Sequence, residues 1–219
     1  VIDILKKIAS QILPIEIEKG IGYMNIPISL HLYQNNYFVQ SPNAIYAHTS
    51  NYTSFSTIIK KNEAYIKTAK NALILGWGLG SIGNILSKYN LNIEKNGVEI
   101  DKLMLHWYKS YNFQSNTTIH NDNIFNFVKN AKECYDIIAI DIYIDNKVPQ
   151  EIFNTNFLNN INALLTNNGI LFLSTFYQNK SEELESIQFC NNTLSKIFAE
   201  TSYLSTKGNV MLQGKRKEN

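Results

Sequence analysis

Asn71-Ala72-Leu73-Ile74-Leu75-Gly76-Trp77-Gly78-Leu79-Gly80-Ser81-Ile82-Gly83 decides the fold. An unbroken apolar run gives way to spaced glycines and then to a helix-forming stretch. An apolar run of that kind is the pattern of a strand covered on both faces, as in a parallel sheet. Glycines directly after it let a ligand approach bare backbone at a helix N-terminus. Further on, Gly97-Val98-Glu99-Ile100-Asp101 reads as a second strand ending in an acid. A carboxylate at that place can accept hydrogen bonds from ribose hydroxyls. Together the two stretches predict a nucleoside-containing small molecule held at the carboxyl ends of parallel strands.

The rest of the chain fits that frame. From residue 71 apolar strands alternate with helical stretches. Strands are expected at 71–76, 93–99, 116–120, 135–141 and 169–175, and helices at 81–89, 101–111, 123–131, 151–166 and 181–196. This rhythm predicts an α/β fold: a Rossmann-like sheet, mostly parallel, with helices on both faces. Phe198–Ser205 and Asn209–Gln213, joined at Lys207-Gly208, read as an antiparallel hairpin that closes the sheet. Before residue 68 the grammar differs. A helix over 1–13 ends at Pro14. Short strands follow near 15–19, 22–33, 36–40 and 43–48, with turns at Asn35-Asn36 and Ser41-Pro42-Asn43. Ser50 or Asn51 can cap a helix running to Lys67. The expected division is a small β-rich unit over 1–68 and a ligand-binding Rossmann-like domain over 69–219.

Composition excludes several classes. A formal charge of +2 over 219 residues offers no nucleic-acid surface, and the only basic run, Lys215-Arg216-Lys217, reads as a solvated tail. No stretch approaches membrane-spanning length, and the amphipathic start shows no secretory pattern. Cys134 and Cys190 match no metal spacing and read as buried thiols in a reducing, cytoplasmic setting. No metal site is expected. His31, His48, His106 and His120 read as structural.

Gly76, Gly78 and Gly80 are the candidate ligand loop, and Glu99 the candidate ribose acid. Asp122, after the third strand, can accept from an adenine amino group while the neighbouring Asn123 backbone meets the ring; capping of the next helix is the competing role. Asp101 reads as a helix cap. Asp141 ends the fourth strand, facing the crevice, and is the candidate catalytic group: it can stabilise a sulfonium centre or act as a base toward an incoming nucleophile. Asp145 borders the same place. Trp77, Tyr143, Phe176 and Tyr177 fall near strand ends, where an aromatic ring can stack on a ligand.

These residues resemble a family. Gly76-Trp77-Gly78-Leu79-Gly80, Val98-Glu99-Ile100-Asp101, Asn121-Asp122, Tyr135–Asp141 and Leu164–Leu171 are similar, in order and spacing, to the spermidine synthase-like branch of the class I S-adenosylmethionine-dependent methyltransferase superfamily. The resemblance implies a seven-stranded methyltransferase-type sheet with a reversed last strand. It implies S-adenosylmethionine as cofactor, or its decarboxylated form or methylthioadenosine, and a small-molecule acceptor. It also implies homodimer formation through the β unit, with Tyr33, Tyr37 and Phe38 in its strands. The leading expectation is a methyltransferase-type group transferase. The alternatives are an aminopropyltransferase of polyamine synthesis, a non-catalytic nucleoside-binding homologue, and an NAD-dependent oxidoreductase, which Gly78-x-Gly80-x-x-Gly83 also fits. The chain departs from aminopropyl-transferring relatives in three places. Leu79 stands where they carry an aspartate inside the loop. Asp141 and Asp145 are one residue further apart than their Asp-x-x-Asp. Tyr52-Thr53-Ser54 stands where they carry a Tyr-His-Glu-like segment.

Overall fold

A computed structural model describes residues 3–49, 52–111, 113 and 117–217. Two sheets organise it. The first is antiparallel, in the order β1 (Ile15–Ile21), β2 (Pro27–Tyr33), β3 (Asn36–Gln40), β4 (Ile45–His48). Its strands alternate: Ile28, Leu30 and Leu32 of β2 point inward and are buried. The β2–β3 turn is the pair Gln34-Asn35, both at positive φ (47° and 62°), one residue earlier than the sequence suggests. Two left-handed central residues match the twist of a tight hairpin. The long strand expected over 22–33 is interrupted. Tyr23–Asn25 form a one-turn 3-10 helix with Met24 and Asn25 left-handed, so β2 begins only at Pro27.

The second sheet is seven-stranded. Its members are β5 (Asn71–Leu75), β6 (Glu94–Glu99), β7 (Thr117–Asn121), β8 (Tyr135–Ile140), β9 (Leu165–Phe176), β10 (Ala199–Thr206) and β11 (Asn209–Lys215). The order is β10-β11-β9-β8-β5-β6-β7. β5 to β9 are mutually parallel; β11 runs antiparallel between β9 and β10. Ala72 to Leu75 and Ile137 to Ile140 are almost wholly buried because apolar side chains cover both faces of the sheet.

The helices carry their own stop and start signals. α1 (Ile4–Ala9) is shorter than the expected 1–13, and its Leu5 and Ile8 stay exposed rather than covering a core. The second helix is divided at Asn62 into α2 (Thr53–Lys61) and α3 (Glu63–Ile66); its expected caps, Ser50 and Asn51, lie outside the described residues. α4 (Ser81–Tyr89) follows the glycine loop, α5 (Lys102–Ser110) is capped by the Asp101 carboxylate, and α6 (Ile124–Asn130) by Asn123. The expected helix over 151–166 is a 3-10 turn, Gln150–Phe153, followed by α7 (Thr155–Ala163). β9 therefore starts at Leu165 and bulges: Tyr135 pairs with Leu165, but Ile137 already pairs with Ile170. α8 (Lys180–Phe189) runs through a π turn into the short α9 (Ser195–Ile197).

Two smaller expectations are corrected. The basic end is not a free tail: Lys215 belongs to β11, and the Arg216 guanidinium donates to the carbonyls of Asn162, Ala163 and Leu165 around the end of α7. A cation suits the carbonyl-rich C-terminus of a helix. Of the two thiols, Cys190 is buried but Cys134 is exposed, and both are free. No helix among the described residues is long and apolar enough to cross a membrane.

Candidate active site

Sheet order places the site. Strand succession reverses between β5 and β8, which are hydrogen-bonded neighbours, and a crevice opens at such a point beyond the carboxyl ends. Leu75 pairs with Ile140, so the residues that follow, Gly76 and Asp141, meet. The Asp141 N–H donates to the Leu75 carbonyl at 2.9 Å, and a Cβ added to Gly76 would lie 2.1 Å from the Asp141 carbonyl oxygen. Gly76, Gly78 and Gly80 take φ of 90°, 55° and 84°, where L side chains are strained. The N–H groups of Gly76 and Trp77 both donate to the Val98 carbonyl (3.0 and 3.1 Å), which ties the loop to the end of β6.

A cavity of about 710 Å³ lies above this loop. Gly76, Gly78, Glu99, Asn123 and Asp141 all line it, so five of the sequence-assigned residues converge. Two do not. Gly80 turns the chain into α4 and packs beneath Trp77 and Tyr108. Asp122 is outside the lining; its carboxylate accepts from the Asn123 N–H at 2.7 Å, and the cap of α6 is the Asn123 side chain, which accepts from Phe125 N. The capping role open to Asp122 is thus filled by Asn123. Asp101 is the cap expected of it: it accepts from Leu103 and Met104, and also from Tyr23 N of the small unit at 2.8 Å.

Glu99 bonds the loop directly. One carboxylate oxygen accepts from Gly78 N at 2.8 Å and the other from Asp101 N at 2.9 Å. Burial pushes the Glu99 carboxyl above its ordinary range, against the pull of these backbone donors. A carboxylate offers about four lone-pair positions, so fixed by the backbone of Gly78, Ile100 and Asp101 it still has acceptor capacity toward the cavity.

Asp141 sits in a denser polar network. Its Oδ1 accepts from the Tyr52 hydroxyl at 2.7 Å. Behind it, the hydroxyls of Tyr143 and Ser174 are 2.7 Å apart, and the Asn209 amide donates to Tyr143 at 3.0 Å and to Ser174 at 3.3 Å. Burial drives the Asp141 carboxyl up to about 7, although hydrogen bonds from Tyr52 and Ser174 pull the other way. The same burial raises the phenols of Tyr52 and Tyr143, so both stay protonated donors. Sequence reading did not find Ser174 and Asn209. The available signal was the polar pair Ser174-Thr175 directly after the apolar run Ile170–Leu173.

The small unit forms the opposite wall. The Tyr46 hydroxyl donates to the Tyr143 carbonyl at 2.8 Å, and burial among carboxylates holds its phenol protonated. Asp145 accepts from the Ser41 hydroxyl at 2.7 Å and from the Asn43 backbone and side-chain amides. Burial would raise the Asp145 carboxyl, but these donors outweigh it and hold it below the usual range. His48, read as structural, also lines the cavity, and burial lowers its pKa.

Of the four aromatic candidates, Trp77, Tyr143 and Phe176 line the cavity; the Tyr177 hydroxyl instead donates to the Thr206 carbonyl. Trp77 is also a core pillar, edge-on to Tyr108 with centroids 5.6 Å apart. Gly83 lacks a left-handed φ, and a Cβ there would meet the Trp77 ring at 2.6 Å. The third glycine of the apparent dinucleotide fingerprint therefore makes room for an indole. Leu79, at the position of the relatives' aspartate, is fully buried against Ile28, Leu30, Val39, Met104 and Trp107.

This strand order, with its reversed last strand, the glycine loop and the acids at the next strand ends define a class I methyltransferase-type fold. The chain matches the family described as Spermine/spermidine synthase domain over residues 55–208, and it belongs to that family. It is 27% identical over 123 residues to a polyamine aminopropyltransferase of Vibrio vulnificus, a stretch covering 53% of this chain and 41% of that protein. The match thus spans about two fifths of that relative's length. Among solved structures, a probable spermidine synthase from Corynebacterium glutamicum superposes with a TM-score of 0.76 at 13% identity, covering 92% of this chain and 81% of the other. Human methyltransferase-like protein 13 in complex with SAH superposes with a TM-score of 0.60 at 19% identity, covering 73% and 78%. At these identities the two structures speak for the fold alone. The family and the curated relative favour the aminopropyl-transfer alternative over the methyl-transfer reading.

Proposed function

We propose that this chain is a group transferase that draws an alkyl group from an adenosyl sulfonium compound, decarboxylated S-adenosylmethionine in the aminopropyl-transferring case, and places it on an amine nitrogen. The observation that carries this reading is the joining of Glu99, the bare Gly76–Gly78 backbone and the Tyr52-bound Asp141 in one cavity. The residues fit such a donor. Positive-φ glycines leave main chain open to the cavity, and Glu99 retains acceptor capacity beside it. Asn123 and Phe125 supply further wall where a base would lie. The relative's name supports aminopropyl transfer, and the human neighbour is a complex with SAH, an adenosyl sulfur compound.

When bound, the donor supplies an electrophilic carbon next to a positively charged sulfur. Asp141 serves as the general base, and a value near 7 matches that task at neutral pH. Tyr52 fixes the carboxylate and remains protonated while doing so. The polar network behind Asp141 holds its orientation, which matters more for an in-line displacement than base strength alone.

Methyl transfer is the second reading, and Leu79 favours it. An aminopropyl arm carries an ammonium group that the relatives' aspartate could meet; the buried Leu79 offers no such partner, and a methyl group needs none.

Thermal unfolding with added ligands tests the reading. At a hundredfold excess over Kd, methylthioadenosine adds about 2.7 kcal/mol, or about 5–10 °C for a chain of this size. NAD should give no shift, and Glu99→Ala should remove the shift with methylthioadenosine. Turnover of decarboxylated against intact S-adenosylmethionine separates the two transfers. Asp141→Asn should keep the shift but lose about 10²–10⁴ in rate. A shift with NAD alone overturns the proposal.

A further inference from the structure

The cavity also constrains the acceptor. Four carboxylates face it: Glu99, Asp141, Asp145 and Glu151. Glu99 is fixed to the glycine loop, on the donor side. Asp145 is spent on the small unit. One of its oxygens accepts from Ser41 and Asn43 N, the other from the Asn43 amide, and the Asn146 backbone adds a further donor. These donors fill its lone-pair positions, so although it stays charged it offers no open acceptor to an ammonium group. Glu151 is exposed, where an ion pair contributes only about 0–1 kcal/mol. On the acceptor side Asp141, bonded by Tyr52, is the interior carboxylate that keeps acceptor capacity.

The surface around Asp141 is apolar in what it offers a guest. Tyr52 directs its hydroxyl to Asp141, and the Tyr143 hydroxyl bonds Ser174 and accepts from the Asn209 amide. Phe176 packs edge-on to Tyr143 with centroids 6.4 Å apart, and Ile142 and Ile144 complete the wall. A second ammonium group on this wall would lose its hydration, which costs several kcal/mol, and would regain only a cation–π contact of about 0.5–2 kcal/mol. A hydrocarbon or aromatic body there gains about 25 cal/mol per Å² buried.

We infer that the acceptor is a monoamine with an apolar or aromatic body rather than a diamine or longer polyamine. The inference rests on the transferase reading above. In the transfer, the amine lone pair forms a new N–C bond as the donor's C–S bond breaks; sulfur leaves as a neutral thioether, and the amine's proton passes to Asp141 and on to water. The acceptor's nitrogen lies at Asp141 and its body against Tyr143, Phe176 and Ile144.

The test uses the whole chain in two arms. In the first, calorimetry measures methylthioadenosine alone; failure to bind removes the transferase reading itself. In the second, the methylthioadenosine-saturated protein is titrated with hexylamine, phenethylamine and 1,4-diaminobutane, and turnover of each is followed with both sulfonium donors. Phenethylamine or hexylamine should bind and react at least tenfold better than the diamine, with affinity nearly unchanged between 50 and 300 mM salt. Preference for the diamine, steep weakening with salt, or binding of no amine to nucleoside-saturated protein each overturns the inference and leaves nucleoside binding standing.

Discussion

Replacing Asp141 with asparagine is expected to stabilise the protein at alkaline pH while removing its chemistry. In the folded chain burial holds the Asp141 proton until about pH 7, against an ordinary value of 3.8. Between those two values the unfolded chain has lost a proton that the folded chain keeps, so stability falls as pH rises, at up to about 1.4 kcal/mol per pH unit. Above pH 7 the carboxylate is charged in both states, and the folded one bears its desolvation. Across the window this amounts to about 2–4 kcal/mol, the lower figure allowing for water that reaches the cavity wall. Asparagine removes the charge but still accepts from the Tyr52 hydroxyl. Urea unfolding of both proteins at one-unit steps from pH 4.5 to 8.5 isolates the effect, because every other titrating group cancels in the difference. From pH 4.5, where the unfolded carboxyl has already begun to ionise, to pH 8.5, the stability advantage of Asp141→Asn should grow by about 1.5–3 kcal/mol. A difference that stays flat across the range, or a wild type more stable at pH 8.5, would refute the reasoning that burial dominates at Asp141.

Two further outcomes follow from packing and charge. A Cβ at Gly97 would meet the Trp77 ring at 2.5 Å, so Gly97→Ala should cost about 1–3 kcal/mol in urea unfolding; combined with Trp77→Phe the two losses should be clearly less than additive, and additivity would mean that the indole does not set the requirement for glycine. Lys95 is buried, and its ammonium donates to the Ser87 hydroxyl and the Ile93 carbonyl rather than to a carboxylate. Burial lowers its pKa, so the folded chain gives up this proton before the unfolded one does and stability is lost as pH falls below 10.5. Lys95→Met should therefore be more stable near neutrality, with the gain shrinking toward pH 10; equal stability at pH 7 would argue against it.

The strands and the loop were legible because local pattern decides them. Leu73-Ile74-Leu75 and Ile137–Ile140 admit few placements other than buried parallel strands, and their ends carry Gly76 and Asp141 wherever the sheet lies. Their adjacency was not local information. It depends on the pairing of Leu75 with Ile140, and a rhythm of strands and helices does not reveal sheet order. The Asp141 network is less visible still, because Tyr52, Ser174 and Asn209 come from three separate parts of the chain. The place of Asp122 was hidden for a different reason. Adjacent Asp and Asn compete for one cap, and the side chain of Asn123 took it and left Asp122 outside the cavity. At Met24 and Asn25 the backbone enters left-handed conformations that nothing in Tyr23-Met24-Asn25-Ile26 announces, and an expected strand is broken there.

The loop gains its meaning from the residues between its glycines. Trp77 goes into the core of the large sheet, with Ile74, Ile82 and Tyr108 around it. Leu79 goes the other way, into the core shared by the small sheet and α5. A loop anchored in both cores has its intervening main chain fixed before any ligand arrives, and fixed donors contribute more to binding than mobile ones because less ordering remains to be done. Gly83 and Gly97 belong to the same device, since they clear the space that the indole occupies. The small sheet is then more than a lid. Through Leu79, the Tyr23–Asp101 bond and the Ser41–Asp145 bond it sets the position of the loop, of the strand carrying Glu99 and of the segment after Asp141. That same arrangement buries the relatives' aspartate position and occupies Asp145, so the contacts that make this site rigid also leave the acceptor side of the cavity to Asp141.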